Sequence, residues 1–213
     1  MTRPELAALT IADPPERWQA LGFAVDGDRL ELGGIAIMLG GPGRGITSWS
    51  LRNIGPAADI DGLTTVSSPP SPPDPVAHPN TATGIDHLAI ATPDFDRTRE
   101  ALERVGIPLS RVRHAFRPGN PAEGDPDDPN TFAQGFRRLG PAILELVEAK
   151  QAPPGPARFF GLVVVVADIQ GLAERLGEDL GTPHPAVQEG RQIATLRRSA
   201  GLSTAVAFMT PAG

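Results

Sequence analysis

Two stretches of this chain lie over each other without a gap. "IDHLAIATPDF" (85–95) aligns on "FFGLVVVVADI" (159–169), and each is an apolar strand ending in an aspartate and an apolar residue. An internal repeat constrains a fold more than any single motif. Each copy must take the same supersecondary form and bury its apolar face against a neighbour. Helical patterns follow both copies. In "DRTREALERVGI", Leu102 and Val105 share a face and Gly106 is placed to stop the helix. In "QGLAERLGEDLG", Leu172 and Leu176 lie one turn apart, with Gly181 as the expected stop. Extended segments come next: "PLSRVRHAF", "TFAQGFRRLG" and "PAILELVEA" after the first helix, "PAVQEG", "RQIATLRRS" and "LSTAVAFMTP" after the second. Both units read β-α-β-β-β.

A third copy opens the chain. "ELAALTIAD" reads as a strand and "PPERWQALG" as a short helix with proline in its first turn. "FAVDGD", "RLELGG" and "IAIMLGG" then read as a meander. "GITSWSLRNIGPAADIDGL" resembles the strand and helix of a further unit, with a stunted helix and no meander of its own. Residues 1–66 are therefore expected to form a degenerate unit plus a truncated one. A proline-rich stretch at 67–83 should be an extended linker, because proline fixes φ and removes a backbone donor. The remainder, 84–213, should hold the paired units 84–150 and 158–210, parted by the smaller break "QAPPGPA". The fold class is α+β.

Tandem units with this strand signature resemble the vicinal oxygen chelate superfamily, which includes glyoxalase I, methylmalonyl-CoA epimerase, extradiol dioxygenases and bleomycin-resistance proteins. The resemblance implies that two units curl into a half-barrel around a small-molecule pocket. In the family's enzymes that pocket holds a divalent metal, with ligands from the first and last strands of each unit. On this chain His87 matches the first-strand ligand and Glu145, in "ILELVE", the last-strand ligand. The equivalent positions of the other unit are Gly161 and, near the end, Ala207, neither of which can coordinate. Two protein ligands fall short of the three that catalytic zinc and two-histidine-one-carboxylate iron sites use. His114, His184, Gln134 and Gln192 are the candidates for a third. A site without metal is the favoured expectation.

Alternation along the strands puts His87, Ala89 and Ala91 on one face, with Gly161, Val163 and Val165 in the repeat. Small side chains there should leave a cavity. The expected ligand pocket comprises His87, Ala89, Gln134, Glu145, Gly161 and Arg191. His87 and Glu145 would serve as a metal pair or an acid–base pair. The competing reading is a satisfied polar patch in which they hydrogen-bond each other or an arginine. Arg137, Arg138, Arg191, Arg197 and Arg198 lie on or beside meander strands, where an arginine could hold a carboxylate or phosphate.

Other motifs point to structure. "GGPGRG" (40–45) lacks the lysine and hydroxyl of a phosphate loop and reads as a turn. "EGDPDDPN" (123–130) does not have calcium-loop spacing and reads as a solvated insertion beside the pocket mouth. Trp49 reads as core.

The bulk numbers exclude several classes. A net charge of −6 argues against nucleic acid, which needs a basic face. With no cysteine there is neither a disulfide framework nor thiolate chemistry. Lys150, the one lysine, sits in a linker-like stretch. No run approaches the roughly 20 apolar residues of a membrane span, and the N-terminus does not resemble a signal peptide. The expected location is cytoplasmic and the expected partner a small organic molecule; a homodimer is compatible with the sequence. Three functions remain open: metal-free small-molecule binding; a metal-dependent lyase, isomerase or dioxygenase using His87, Glu145 and an unlocated third ligand; and an interaction module whose pocket has no substrate.

Overall fold

The computed structural model describes residues 3–66, 73–116, 122 and 124–213. They form two mixed sheets with three α-helices. The N-terminal sheet has six strands in the order β2-β3-β1-β4-β6-β5. These are β1 (Glu5–Ile11), β2 (Arg29–Leu32), β3 (Ile35–Met38), β4 (Ile46–Arg52), β5 (Asp59–Ile60) and β6 (Leu63–Val66), with helix α1 (Pro15–Ala20) after β1. The C-terminal sheet has eight strands in the order β12-β13-β14-β11-β7-β10-β9-β8. Its first unit is β7 (Ala82–Thr92), α2 (Phe95–Arg104), β8 (Arg111–Ala115), β9 (Phe132–Leu139) and β10 (Ala142–Glu148). The second is β11 (Arg158–Val166), α3 (Ile169–Leu176), β12 (His184–Pro185), β13 (Gln192–Thr195) and β14 (Ala205–Met209).

One pairing scheme is used twice. β7 runs parallel to β10 and antiparallel to β11, and β11 runs parallel to β14. Likewise β1 runs parallel to β3 and antiparallel to β4, and β4 runs parallel to β6. The aspartates that end the repeated strands explain the turn into each helix. Asp94 and Asp168 are extended N-caps whose carboxylates accept the backbone N–H of Arg97 and Gly171. Each satisfies one of the donors a helix start leaves without a partner.

Several local expectations need correction. The fourth unit has a meander after all: β5 and β6 form a hairpin across Asp61-Gly62, both at positive φ (51° and 90°). A two-residue strand has no periodicity to read, and the turn needs left-handed backbone at both central residues. The stunted helix expected after β4 is absent, since 53–58 are bends and coil interrupted by Gly55 and Pro56. In the first unit "FAVDGD" contributes only an isolated bridge between Asp26 and Arg29, so its meander has two strands. Helix α3 stops at Gly177 (φ 53°), not Gly181. "PAVQEG" is strand only up to Pro185 and turns away beyond it. The linker lies partly outside the described residues, at 67–72, and its last residues belong to the fold. His78 and Asn80 are buried, and Ala82 already starts β7.

The core runs through both modules as one cluster. Leu88, Ile90, Leu144, Leu146, Leu162, Val164 and Phe208 supply the packed face of the C-terminal sheet. Full burial of such side chains is worth about 1.5–3 kcal/mol each. Helices α2 and α3 cover part of that face with Phe95, Leu102, Ile169 and Leu172. The N-terminal module adds Phe23, whose ring stacks 6.2 Å from Phe208, and the buried Trp49, edge-on to Phe159 at 5.5 Å. The opposite face of the sheet is left open: Ile143, Glu145 and Val147 are half-buried while Leu144 and Leu146 between them are fully buried.

Candidate functional site

The open face carries a line of polar side chains across its middle. Its origin is an irregularity in the central strand pair. Along β7 and β11 the partners are Leu162 with Leu88, Val163 with His87, then Val164 with Ile85, so Asp86 is an extra residue. A β-bulge of this kind places two consecutive residues on one side of the sheet. Here those are Asp86 and His87, between the buried Ile85 and Leu88. A matching shift occurs on β11, where Phe159 pairs with Ile90 and Gly161 with Ala89. It leaves Phe160 and Gly161 on the open face, and Phe160 is 61% exposed. In the gapless repeat alignment Asp86 corresponds to Phe160 and His87 to Gly161. The two bulges are thus related by the internal repeat, one polar and one apolar.

From the polar bulge a hydrogen-bonded chain extends both ways. Asp86 Oδ2 lies 2.9 Å from His87 Nδ1, and Asp86 Oδ1 lies 2.6 Å from Arg191 Nη1. Arg191 is buried and donates from Nε to the Thr210 carbonyl at 2.7 Å. On the other side His87 Nε2 is 3.4 Å from Glu145 Oε2. Gln134 Nε2 donates to Glu145 Oε1 at 2.8 Å, and Arg113 Nε donates to Gln134 Oε1 at 2.9 Å. The Arg113 guanidinium lies 6.0 Å above the Phe136 ring. Burial alone would raise the pKa of Asp86. Hydrogen bonds from His87 and Arg191, with their charges, outweigh it and hold the carboxyl below its ordinary value.

The residues expected at the pocket fall into one neighbourhood. Glu145 is the register partner of Ala89 on β7, and Gly161 is the partner of Ala89 across β11. Gln134 joins Glu145 directly, and Arg191 joins His87 through Asp86. Asp86 is the member that strand alternation hides, because a regular strand would put it on the packed face. Of the other ligand candidates, His114 alternates with Arg113 on β8, His184 is exposed with Nδ1 near the Pro185 carbonyl, and Gln192 pairs with Gln170. Arg138, Arg197 and Arg198 are exposed and Arg137 is half-buried. In the acidic insertion Asp125 and Asp128 cap their own turns through Asp127 and Asn130, while Glu123 lies outside the described residues.

Ala89, Gly161 and Ala207, among the small residues expected to leave a cavity, lie along this open face, the trough of the sheet. A cavity of about 600 Å³ lies in the N-terminal module, lined by Val25, Arg29, Leu30, Glu31 and Val76 among others. It contains none of the residues above.

A divalent metal, which the family resemblance implies, is a poor match for this donor set. His87 and Glu145 converge, but Asp86 lies on the other side of the imidazole and is tied to Arg191. Val163, the register partner of His87, and Ala207, which pairs with Val163 in turn, are apolar and cannot coordinate. At Gly161 a Cβ would strike the Ala205 carbonyl oxygen and lie 2.8 Å from Ala205 Cβ, so the backbone itself forbids a ligand side chain there. Among the described residues no group of three His, Cys, Asp or Glu side chains is arranged to hold an ion.

Paired β-α-β-β-β units, with parallel first and last strands and antiparallel first strands at the centre, define the vicinal oxygen chelate fold, and this chain has it. No protein-family model matches the sequence, and no curated protein does either. Among solved structures, a mutant 4-hydroxymandelate synthase from Streptomyces coelicolor is similar over 98% of this chain and 93% of its own, at 13% identity and a TM-score of 0.57. A methylmalonyl-CoA epimerase from Mycobacterium tuberculosis is similar over 63% of this chain and 91% of its own, at 17% identity and a TM-score of 0.47. The similarity to the synthase spans both modules and is one of fold. Among the described residues no helix is long and apolar enough to cross a membrane.

Proposed function

We propose that the protein binds a small organic molecule in the open trough of its C-terminal module, residues 84–213, without a divalent metal. The N-terminal module, 1–66, buttresses the packed face of that sheet. One observation carries the reading. The two potential ligands already sit in a hydrogen-bonded chain of protein side chains, while the repeat-related position, Gly161, has no room for a donor. The pocket comprises His87, Ala89, Gln134, Glu145, Gly161 and Arg191, with Asp86 added. Its floor is small and apolar, and its polar groups are few and fixed, as in most small-molecule sites.

Metal analysis of protein purified without chelator, followed by fragment screening by NMR, tests this. The expected result is substoichiometric metal and fragment-induced shifts at Ala89, Glu145 and Ala207 that persist in EDTA. Stoichiometric metal that disappears in both His87→Ala and Glu145→Ala would overturn it in favour of a metal-dependent enzyme.

A further inference from the structure

One arginine of the trough is held in place by two neutral groups. Resting on the reading above, we propose that this residue, Arg113, receives the charged group of the ligand: an oxyanion, carboxylate or phosphate ester, carried on an aromatic body.

Arginine stays charged in a folded protein and can only donate hydrogen bonds. Its charge and the direction of its bonds are therefore fixed, whichever proton His87 or Glu145 carries. Arg113 Nε donates to Gln134 Oε1 at 2.9 Å, which turns the Gln134 amide nitrogen toward Glu145 Oε1 at 2.8 Å. The buried glutamine is a neutral spacer that keeps the guanidinium and the Glu145 carboxyl at opposite ends of one amide. The far end of the polar line is built the other way. There Arg191 commits Nη1 directly to Asp86 at 2.6 Å and Nε to the Thr210 carbonyl. Among the described residues no carboxylate forms an ion pair with Arg113.

The same contacts prepare Arg113 for a ligand. The Gln134 bond fixes Nε, and the Phe136 ring, 6.0 Å away, supports the guanidinium face. A half-buried side chain held at both points loses little further freedom on binding. Its Nη groups form the planar fork that matches two oxygens of a carboxylate or phosphate. The charge of the face points the same way. Arg138, two residues beyond Phe136 on the same side of β9, is paired in register with Ile143. Its Nη1 lies 3.4 Å from the Gly140 and Pro141 carbonyls, which leave its charge uncompensated. The polar line with Arg138 thus sets three arginines against the two carboxyls of Asp86 and Glu145. Protonating His87 or Glu145 only makes that balance more positive. Phe136 is the register partner of Glu145, and Glu145 that of Ala89. A ring lying beside Arg113 therefore meets an aromatic wall and a small-residue floor.

Phenylacetate, phenyl phosphate, benzyl alcohol and benzylamine share one ring and differ in charge. Each is titrated at millimolar concentration into the full-length protein, with the Arg113 Nε–H, the Phe136 ring and the Ala89 methyl observed by NMR. The two anions are expected to shift all of these signals and to bind more tightly than the alcohol and the amine. The tighter of the two names the oxyanion. Added salt is expected to weaken both. Arg113→Gln is expected to weaken them about tenfold, the effect of losing a charged, forked contact. Arg113→Lys, which keeps the charge without the fork, is expected to recover only part of the loss. Equal or tighter binding of benzyl alcohol or benzylamine in the trough, or anion binding that Arg113→Gln does not weaken, overturns the oxyanion assignment and leaves the binding reading standing. No response in the trough to any of the probes sinks both. The wild-type comparison among probes decides the question even if a variant fails to fold.

Discussion

Gly161 shows how a single position can close off a chemistry. The β11 bulge turns its missing Cβ toward Ala205, so adding even a methyl group forces the two strands apart. Gly161→Ala is expected to destabilise the protein by about 1–3 kcal/mol, the usual cost of overpacking, read as a lower urea midpoint. Gly161→His should lose stability and gain no metal; a well-folded variant that binds zinc tightly would contradict this. Asp86 makes a different prediction. Its carboxyl is held below its ordinary value in the folded state, so it adds stability that is fully present above the unfolded pKa, roughly 3.9, and is lost as pH falls through the folded one. Asp86→Asn should flatten the acid limb of stability against pH, with part of it retained through Asp13, also shifted down. Burial would raise the Asp13 pKa, but hydrogen bonds from Ser203 and Thr204 prevail. An unchanged acid limb would show that Asp86 is not paired in solution. His87 and Glu145 were legible because the repeat and the resemblance pick out their strand positions. Asp86 left a fainter trace: "IDHL" sets two polar residues between two apolar ones, a break in alternation that marks a bulge.

At the scale of elements, the repeat was legible wherever a strand was long enough to show a period. β7 and β11 align without a gap, and both end on an N-capping aspartate. Replacing either cap by alanine is expected to cost about 1 kcal/mol. The two losses should be similar, as thermal or urea unfolding of Asp94→Ala and Asp168→Ala would show. A loss confined to one of them would mean that the two copies no longer share a helix start. Short elements were not legible. β5, β12 and the bridge at Asp26 are two residues long or less, and hydrogen bonds to neighbouring strands define them, not any pattern of their own. The stop of α3 was misplaced for a related reason. Gly177 and Gly181 both follow an apolar residue, and only the left-handed backbone at Gly177 shows which one ends the helix. Bulges share this property: they are produced by the partner strand, so both halves of the trough's asymmetry depend on pairing that sequence periodicity does not record.

Taken as a whole, the molecule joins its two modules through side chains that reach across to backbone. Asp13, just past β1, accepts from the backbone N–H of Ser203 and Thr204 ahead of β14 at 2.5 and 3.0 Å. Arg175 of α3 donates to the carbonyls of Leu21 and Pro79 at 3.1 Å. Asp61, in the β5–β6 turn, receives Arg97 and Thr98 of α2. None of these contacts was legible in the sequence, where the proline-rich stretch read only as an extended linker. Interlocks of this kind, laid over one continuous core, argue for a single cooperative unfolding unit. The chain supplies its own reporter. Both tryptophans, Trp18 and Trp49, are buried in the N-terminal module, so their fluorescence follows that module, while far-UV circular dichroism follows both. The two signals should give coincident urea transitions. Asp13→Ala leaves the buried Thr204 N–H without a partner, at a cost of about 1–3 kcal/mol, and also removes the part-buried bond from Ser203. It is expected to move both transitions down together. If fluorescence instead moves ahead of circular dichroism, the modules fold independently, and the N-terminal one cannot be what holds the trough in shape.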